Sequence, residues 1–194
     1  MNPEEKLAWQ GNIHFYNSLS EFYLYQDLYS LSSMMQSMLS TRYGESAKKI
    51  IELIHSDNEK LITEGEVKII KDNISFLERD YSDTDPNQLF MYYKNNGYQI
   101  DDLEPDHLGV ELKFITLLSL ETMDKDNIVG GAAKELRFLN NRFLWLPYLF
   151  KRLVDDKRDP RLTKEVVGLT MNYIDEHKAF LTSCLKDDAK NFVE

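Results

Sequence analysis

Cysteine is almost absent from this sequence of 194 residues, which contains only Cys184. A single cysteine excludes an internal disulfide, and it also excludes the paired spacings that hold structural zinc. Long apolar runs are missing too, because the longest one, "FLWLPYLF" at 143–150, is far too short to span a bilayer. The sequence therefore predicts a protein with no structural disulfide and no stable membrane insertion.

Positive charge is also in short supply, since 23 Lys and Arg stand against 33 Asp and Glu and give a net charge of -10. This balance argues against nucleic-acid binding, which needs clustered cations to meet phosphates. The acidity suits a basic partner, and it equally suits a surface that only keeps the protein soluble. The first residues, "MNPEEKLAWQ", lack the basic start and apolar run of a secretory signal, so we expect a cytoplasmic protein.

Strand-like alternation is absent, whereas apolar residues recur three and four positions apart. Such spacing joins Leu19 to Met38 in one predicted helix, and it also runs through 67–77 and 108–118. Four of the five prolines, at 3, 86, 105 and 160, follow a residue that can cap a helix. We therefore predict an all-α protein of about seven to nine helices, with loops near 41–45, 56–59, 81–85, 95–103, 124–131 and 156–159.

The helical pattern has one internal seam, in "KNNGYQIDDLEP", where Gly97 and a run of acids interrupt it. The seam predicts a single domain of two packed lobes, about 1–97 and 104–194, with a hinge at 98–103. Because domain swapping needs such a hinge, we expect a monomer with a possible lobe-swapped dimer.

The stretch "LEPDHLGVELKFI" concentrates Glu104, Asp106, His107 and Glu111 around Pro105. His107 and Glu111 share a helix face, so a small metal-dependent hydrolase centred on His107, Asp106 and Glu111 is one hypothesis. Against it, the sequence lacks a zinc-protease pattern, a nucleophile motif and a phosphate loop. We therefore expect no enzyme activity, no resident cofactor and no metal.

Two other hypotheses describe the same stretch. In one, Glu104 caps a helix, Pro105 occupies its first turn and Asp106 favours its positive end. In the other, the stretch belongs to an acidic surface that receives a basic ligand, because no Lys or Arg lies between Lys94 and Lys113.

The segment "EPDHLGVELKFI" resembles the signature of the TorD/DmsD/NarJ family of cytoplasmic chaperones for molybdenum-containing redox enzymes. A second segment, "FLNNRFLWLPYLFKRL", is similar to a later motif of that family, with Phe138, Trp145, Pro147 and Phe150 in register. Arg142 departs from the pattern, because the family often has histidine at that position.

The resemblance implies a TorD-like helical protein that binds an apo molybdoenzyme precursor through its twin-arginine signal peptide until the cofactor is inserted and the enzyme is exported. An adaptor with the same fold and a different client is the alternative that Arg142 suggests. The expected peptide-binding residues are those of the first motif: Glu104, Pro105, Asp106, His107, Leu108, Glu111 and Leu112. Nearby aromatic residues, Phe90, Tyr92, Tyr93 and Tyr98, are candidates for an apolar groove wall.

Overall fold

The computed structural model of the chain describes residues 3–55, 74–100, 102–125 and 127–191. This part of the chain is built of helices and contains no strand, apart from an isolated antiparallel bridge between Leu77 and His107. The all-α prediction is confirmed. The described α-helices are α1 Pro3–Tyr25, α2 Leu28–Met38, α3 Gly44–Ile54, α4 Pro86–Asn95, α5 Leu108–Asp124, α6 Ile128–Arg142, α7 Leu146–Asp155 and α8 Arg161–Asn191.

Three of the four proline signals mark a helix start correctly. Helix α1 begins at Pro3, and α8 begins one residue after Pro160. Helix α4 begins at Pro86, where Asp85 Oδ1 accepts the amide hydrogen of Asn87 at 2.9 Å. The fourth prediction is wrong, because Pro105 lies in a turn and α5 begins three residues later, at Leu108.

The predicted continuous helix from Leu19 to Met38 is wrong, because the chain breaks at Gln26. Gln26 has a φ of 57°, in the left-handed region that ends a helix, and Asp27 then caps α2 by accepting the amide hydrogens of Tyr29 and Ser30. Most of the predicted 67–77 helix and the 56–59 loop lie outside the described residues, and 74–77 are not helical. The loop predicted at 124–131 is shorter, because α5 ends at Asp124 and α6 begins at Ile128.

Helices α1 and α5 pack closely along each other and carry the centre of the fold. A Cβ atom at Gly109 would lie only 2.6 Å from Cγ of Leu24, so the absence of a side chain lets the two helices approach. Ser20 Oγ donates a hydrogen bond to the Gly109 carbonyl oxygen at 2.8 Å in the same place.

Helix α8 packs against α3, α6 and α7 and completes a shared core. The buried Trp9 and Trp145, one from each half of the sequence, belong to the same hydrophobic cluster. The predicted lobes therefore share a core, while their exchange between molecules stays a prediction. None of the helices within the described ranges combines the length and apolar character needed to cross a bilayer.

A buried polar cluster ties α1, α5, α6 and α8 together inside this core. Tyr16 and His177 share a hydrogen bond of 2.9 Å between the hydroxyl and Nδ1, and Ser119 Oγ donates to Glu135 Oε2 at 3.1 Å. Nε2 of His177 lies 3.5 Å from the same carboxylate oxygen. Burial raises the pKa of Glu135 well above its usual range and lowers the pKa of His177 to about 3, so it favours the neutral form of both side chains.

Glu135→Gln should make the protein more stable than the unmodified chain at pH 8, with the advantage disappearing near pH 4.5. The pKa of Glu135 is raised in the folded state, so its stabilising contribution is complete below the unfolded pKa and is lost as the pH rises. The two stability curves should diverge by at most about 1.4 kcal/mol per pH unit. Urea unfolding between pH 4.5 and 8 measures the difference. A constant or reversed difference would show that Glu135 is ionised in the fold.

Candidate functional site

The predicted site lies where the segment before α4 runs beside the start of α5. The Glu78 amide donates to the Asp106 carbonyl oxygen, and the Leu108 amide donates to the Phe76 carbonyl oxygen, both at 2.8 Å. These bonds flank the Leu77–His107 bridge and hold the two segments antiparallel. The "EPDH" motif is therefore joined to residues almost thirty positions earlier in the sequence.

Arg79 pairs with two acidic residues of the motif, Asp106 and Glu104. Its Nε and a terminal nitrogen donate to the two oxygens of Asp106 at 2.9 and 2.6 Å, and its backbone amide also donates to Asp106 at 3.0 Å. The terminal nitrogen also binds Glu104. The Asp106 side chain is fully buried, whereas that of Glu104 is 58% exposed. Asp106 is thus an internal ion-pair partner, and it is not available on the surface for an arginine of another molecule.

His107 caps α5, the role that the sequence had assigned to Glu104. Nδ1 of His107 accepts the Gly109 amide hydrogen at 3.1 Å, so this nitrogen carries no proton. Burial lowers the pKa of His107 to about 4, despite the opposing charges of Asp106 and Glu104. The imidazole is therefore neutral near pH 7.

The hypothesis of a metal-dependent hydrolase at His107, Asp106 and Glu111 does not match this geometry. Asp106 is bound to Arg79, and His107 uses Nδ1 to cap its helix. Glu111 belongs to a separate cluster around Arg142. Within the ranges that the structure describes, no group of three or more His, Cys, Asp or Glu side chains could hold a metal ion.

The apolar residues of the motif also lie inside the protein. Leu108 and Leu112 are fully buried in the core, so they cannot form an exposed groove wall in this structure. Pro105 and His107 are half-buried, and Glu104 is the only exposed member of the seven predicted binding residues. Most of the seven residues therefore lie beneath the surface in this structure, and their part in peptide binding stays a prediction.

Glu111 forms a second charged cluster with Glu78 and Arg142. Arg142 binds Glu78 through a terminal nitrogen, and its Nε lies 3.7 Å from Glu111 Oε1. Side-chain exposure is 5% for Glu78, 0% for Glu111 and 21% for Arg142. Burial and the nearby Glu78 raise the pKa of Glu111 well above its usual range, although the Arg142 charge and the nearby Trp145 indole act in the opposite direction. The Arg142 guanidinium is thus shared by the carboxyl groups of Glu78 and Glu111.

Several buried polar atoms around this cluster have no hydrogen-bond partner within ordinary geometry. They include both carboxyl oxygens of Glu111, Nε of Arg142, the Tyr93 hydroxyl and the Trp145 indole nitrogen. Buried polar atoms usually find a partner, so such a concentration distinguishes this place from the rest of the core. The second motif meets the first here, because Arg142 and Trp145 come from one and Glu111 from the other.

A surface cleft of about 380 Å³ opens directly beside the cluster, with Arg142 in its wall. Helices α4 and α6 form its sides. Leu89, Tyr92 and Phe138 supply its apolar surface, while the exposed Asp83 and Asp85 lie where the chain enters α4. The remaining lining residues are Thr84, Gln88, Arg137 and Asn141. The cleft therefore joins carboxylates to an apolar floor, at a place that the sequence had not predicted.

The sequence located the aromatic residues of this region but did not separate core from surface. Tyr92 lines the cleft, as expected of a groove wall, and Phe90 is 39% exposed. Tyr93 is fully buried against Phe114, and Tyr98 packs beside both. The sequence feature that could have indicated the cleft was the helix start at Asp85-Pro86, with Asp83 shortly before it.

Asp106→Asn should destabilise the protein by about 3 kcal/mol, because it removes the buried partner of Arg79 and leaves only the exposed Glu104 to pair with that guanidinium. The one-third exposure of the Arg79 side chain places the effect at the low end for buried pairs. Chemical denaturation of Asp106→Asn, Arg79→Gln and the double variant would measure it, with less than additive losses expected. Arg161→Gln, which breaks an exposed pair with Asp159, should cost below about 1 kcal/mol. Equal, small losses in all variants would mean that the Arg79–Asp106 pair does not stabilise the fold.

No protein-family model matches the chain, and neither the curated proteins nor the solved structures include a significant match. The likeness to molybdoenzyme chaperones therefore stays a resemblance of two motifs.

Proposed function

We propose that this protein is a cytoplasmic chaperone that binds the twin-arginine signal peptide of a molybdenum-containing redox enzyme and protects the apo precursor until cofactor insertion. The observation that carries the proposal is the cleft between α4 and α6, where exposed carboxylates adjoin an apolar floor. The cleft lies beside the buried cluster in which the two family-like motifs meet.

The charge of the rim suits the two guanidinium groups of such a peptide. Asp83 and Asp85 are exposed, and Glu104 is on the neighbouring segment, joined to the 78–80 turn through Arg79. Carboxylates can hold guanidinium groups with paired hydrogen bonds, which fix the direction of a bound peptide. The acidic rim thus supplies recognition of the basic pair.

Apolar contacts in the cleft add to the binding free energy. Exposed ion pairs contribute only about 0.2 to 1 kcal/mol each, whereas apolar burial contributes about 25 cal/mol per Å² before ordering costs. Leu89, Tyr92 and Phe138 offer a surface for the apolar residue that follows the arginines. A cleft of this size accepts one or two side chains of the peptide, so further contacts with the precursor would lie outside it.

The "EPDH" motif has a positioning role in this proposal. The Asp106–Arg79 pair and the 76–78 backbone bonds fix the start of the 78–85 segment, which carries Asp83 and Asp85 to the rim. Glu104 is an exposed carboxylate joined to the start of this segment through Arg79.

An adaptor with a different client is the second candidate, and Arg142 is the observation that favours it. Arg142 and Arg137 both line the cleft, so its wall is more basic than the rim. A client segment that lacks consecutive arginines but offers hydrogen-bond acceptors would suit Arg137. The two candidates differ in whether a twin-arginine peptide binds better than its twin-glutamine version.

Asp83→Asn together with Asp85→Asn should weaken binding of a synthetic peptide that carries two consecutive arginines followed by an apolar segment. Loss of two ion pairs should reduce the affinity by about tenfold at low salt and by less at high salt. Asparagine caps a helix as well as aspartate does, so the start of α4 and the stability of the fold should be preserved. Fluorescence anisotropy with the labelled peptide gives the affinity, and thermal melting checks the fold.

Asp175→Asn provides a control that removes one charge away from the cleft, because Asp175 is 79% exposed on α8 and does not line the cleft. It should leave the affinity unchanged. An equal loss in both variants would indicate general attraction by net charge. Unchanged affinity in the double variant would remove the cleft rim from the peptide site.

A further inference from the structure

Glu111 is a carboxyl group that the wall of the cleft separates from solvent. It is fully buried on α5, and the charged or titratable groups that face it are Glu78 from the 78–80 turn, Tyr93 from α4 and Arg142 from α6. Arg142 reaches both places, because it lines the cleft and its Nε lies 3.7 Å from Glu111. The Arg142 side chain therefore lies between the cleft and Glu111, and a charge bound in the cleft acts electrostatically on Glu111 across it.

We propose that binding of a cationic peptide segment in the cleft is coupled to loss of one proton from Glu111, so that the cluster changes from neutral to negative as the site is occupied. The proposal rests on the proposed function, since it describes how the same cleft responds to its ligand. The carboxyl O–H bond breaks, its electron pair stays on the carboxylate and the proton passes to the buffer.

The charges of the cluster explain the direction of the coupling. Glu78 and Arg142 form an ion pair, and burial together with Glu78 favours the protonated form of Glu111. A guanidinium in the cleft adds positive charge near Glu111 and favours its ionised form. The new carboxylate can then accept from Arg142 Nε and the Trp145 indole, which have no hydrogen-bond partner in this structure. The ligand thus creates part of the negative charge that holds it.

The other buried titratable groups near the motifs do not account for proton release on peptide binding near pH 7.5. Burial places the pKa of His107 at about 4 and that of His177 at about 3, so both stay neutral. The pKa of Tyr93 is raised well above its usual range, so its hydroxyl also keeps its proton. Glu135 is a second buried carboxyl with a raised pKa, but it lies in the α1, α5, α6 and α8 cluster with His177.

Calorimetric titration with the twin-arginine peptide at pH 7.5, in two buffers of different ionisation enthalpy, measures the proton release. We expect release of up to about one proton per peptide, and affinity that rises with pH by at most about tenfold per unit. Glu111→Gln should abolish both effects. Glu135→Gln, the matched loss of a buried carboxyl, should keep both. Peptide binding with no proton release, or equal release from the Glu111→Gln variant, would overturn the coupling.

A second probe separates this coupling from the peptide function. Methylguanidinium supplies the cation alone, and the infrared spectrum of the unmodified protein minus that of the Glu111→Gln variant isolates the protonated carboxyl band of Glu111 from that of Glu135. Loss of that band on adding methylguanidinium, with no peptide binding, would support the coupling and overturn the proposed function. Absence of a protonated Glu111 band in the free protein, or a band unchanged by methylguanidinium and peptide alike, would overturn the coupling.

Discussion

The ion pair between Arg79 and Asp106 is the contact on which the geometry of the site depends. Asp106 is fully buried, so its charge is tolerable only because Arg79 and a backbone amide meet both of its oxygens. The same contact holds the 78–80 turn against the start of α5 and thereby sets where the chain enters α4. The acidic rim of the cleft and the capped start of α5 are consequences of one buried pair and its flanking backbone bonds.

The protein places several of its carboxyl groups in the core, although exposed acids would be sufficient for solubility. Asp106 has its own arginine, whereas Glu111 shares Arg142 with Glu78, and Glu135 accepts a hydrogen bond from the neutral Ser119. These three environments differ in the positive charge available to each carboxyl. Burial with little compensating positive charge raises the pKa of Glu111 and Glu135 well above the usual range.

The two motifs have a physical relation that their separation in sequence hides. Glu111 comes from the first and Arg142 from the second, and α4 and α6 meet at the cleft beside them. A binding surface next to a charged, incompletely satisfied cluster can respond to the charge of its ligand, because buried charges interact more strongly than exposed ones. This relation connects the proposed peptide binding with the proposed proton release.

Local rules of helix formation determined much of this protein from sequence alone. Apolar spacing and capped prolines are properties of neighbouring residues, so they predicted the all-α fold and the start of α4 at Pro86. The break at Gln26 was missed because a left-handed residue leaves no strong pattern in composition. Only the tertiary structure decided that the acidic run near Asp106 is neutralised by Arg79 and that Leu108 and Leu112 are core. Partners far apart in the chain set burial and charge, and no spacing rule between neighbours encodes them.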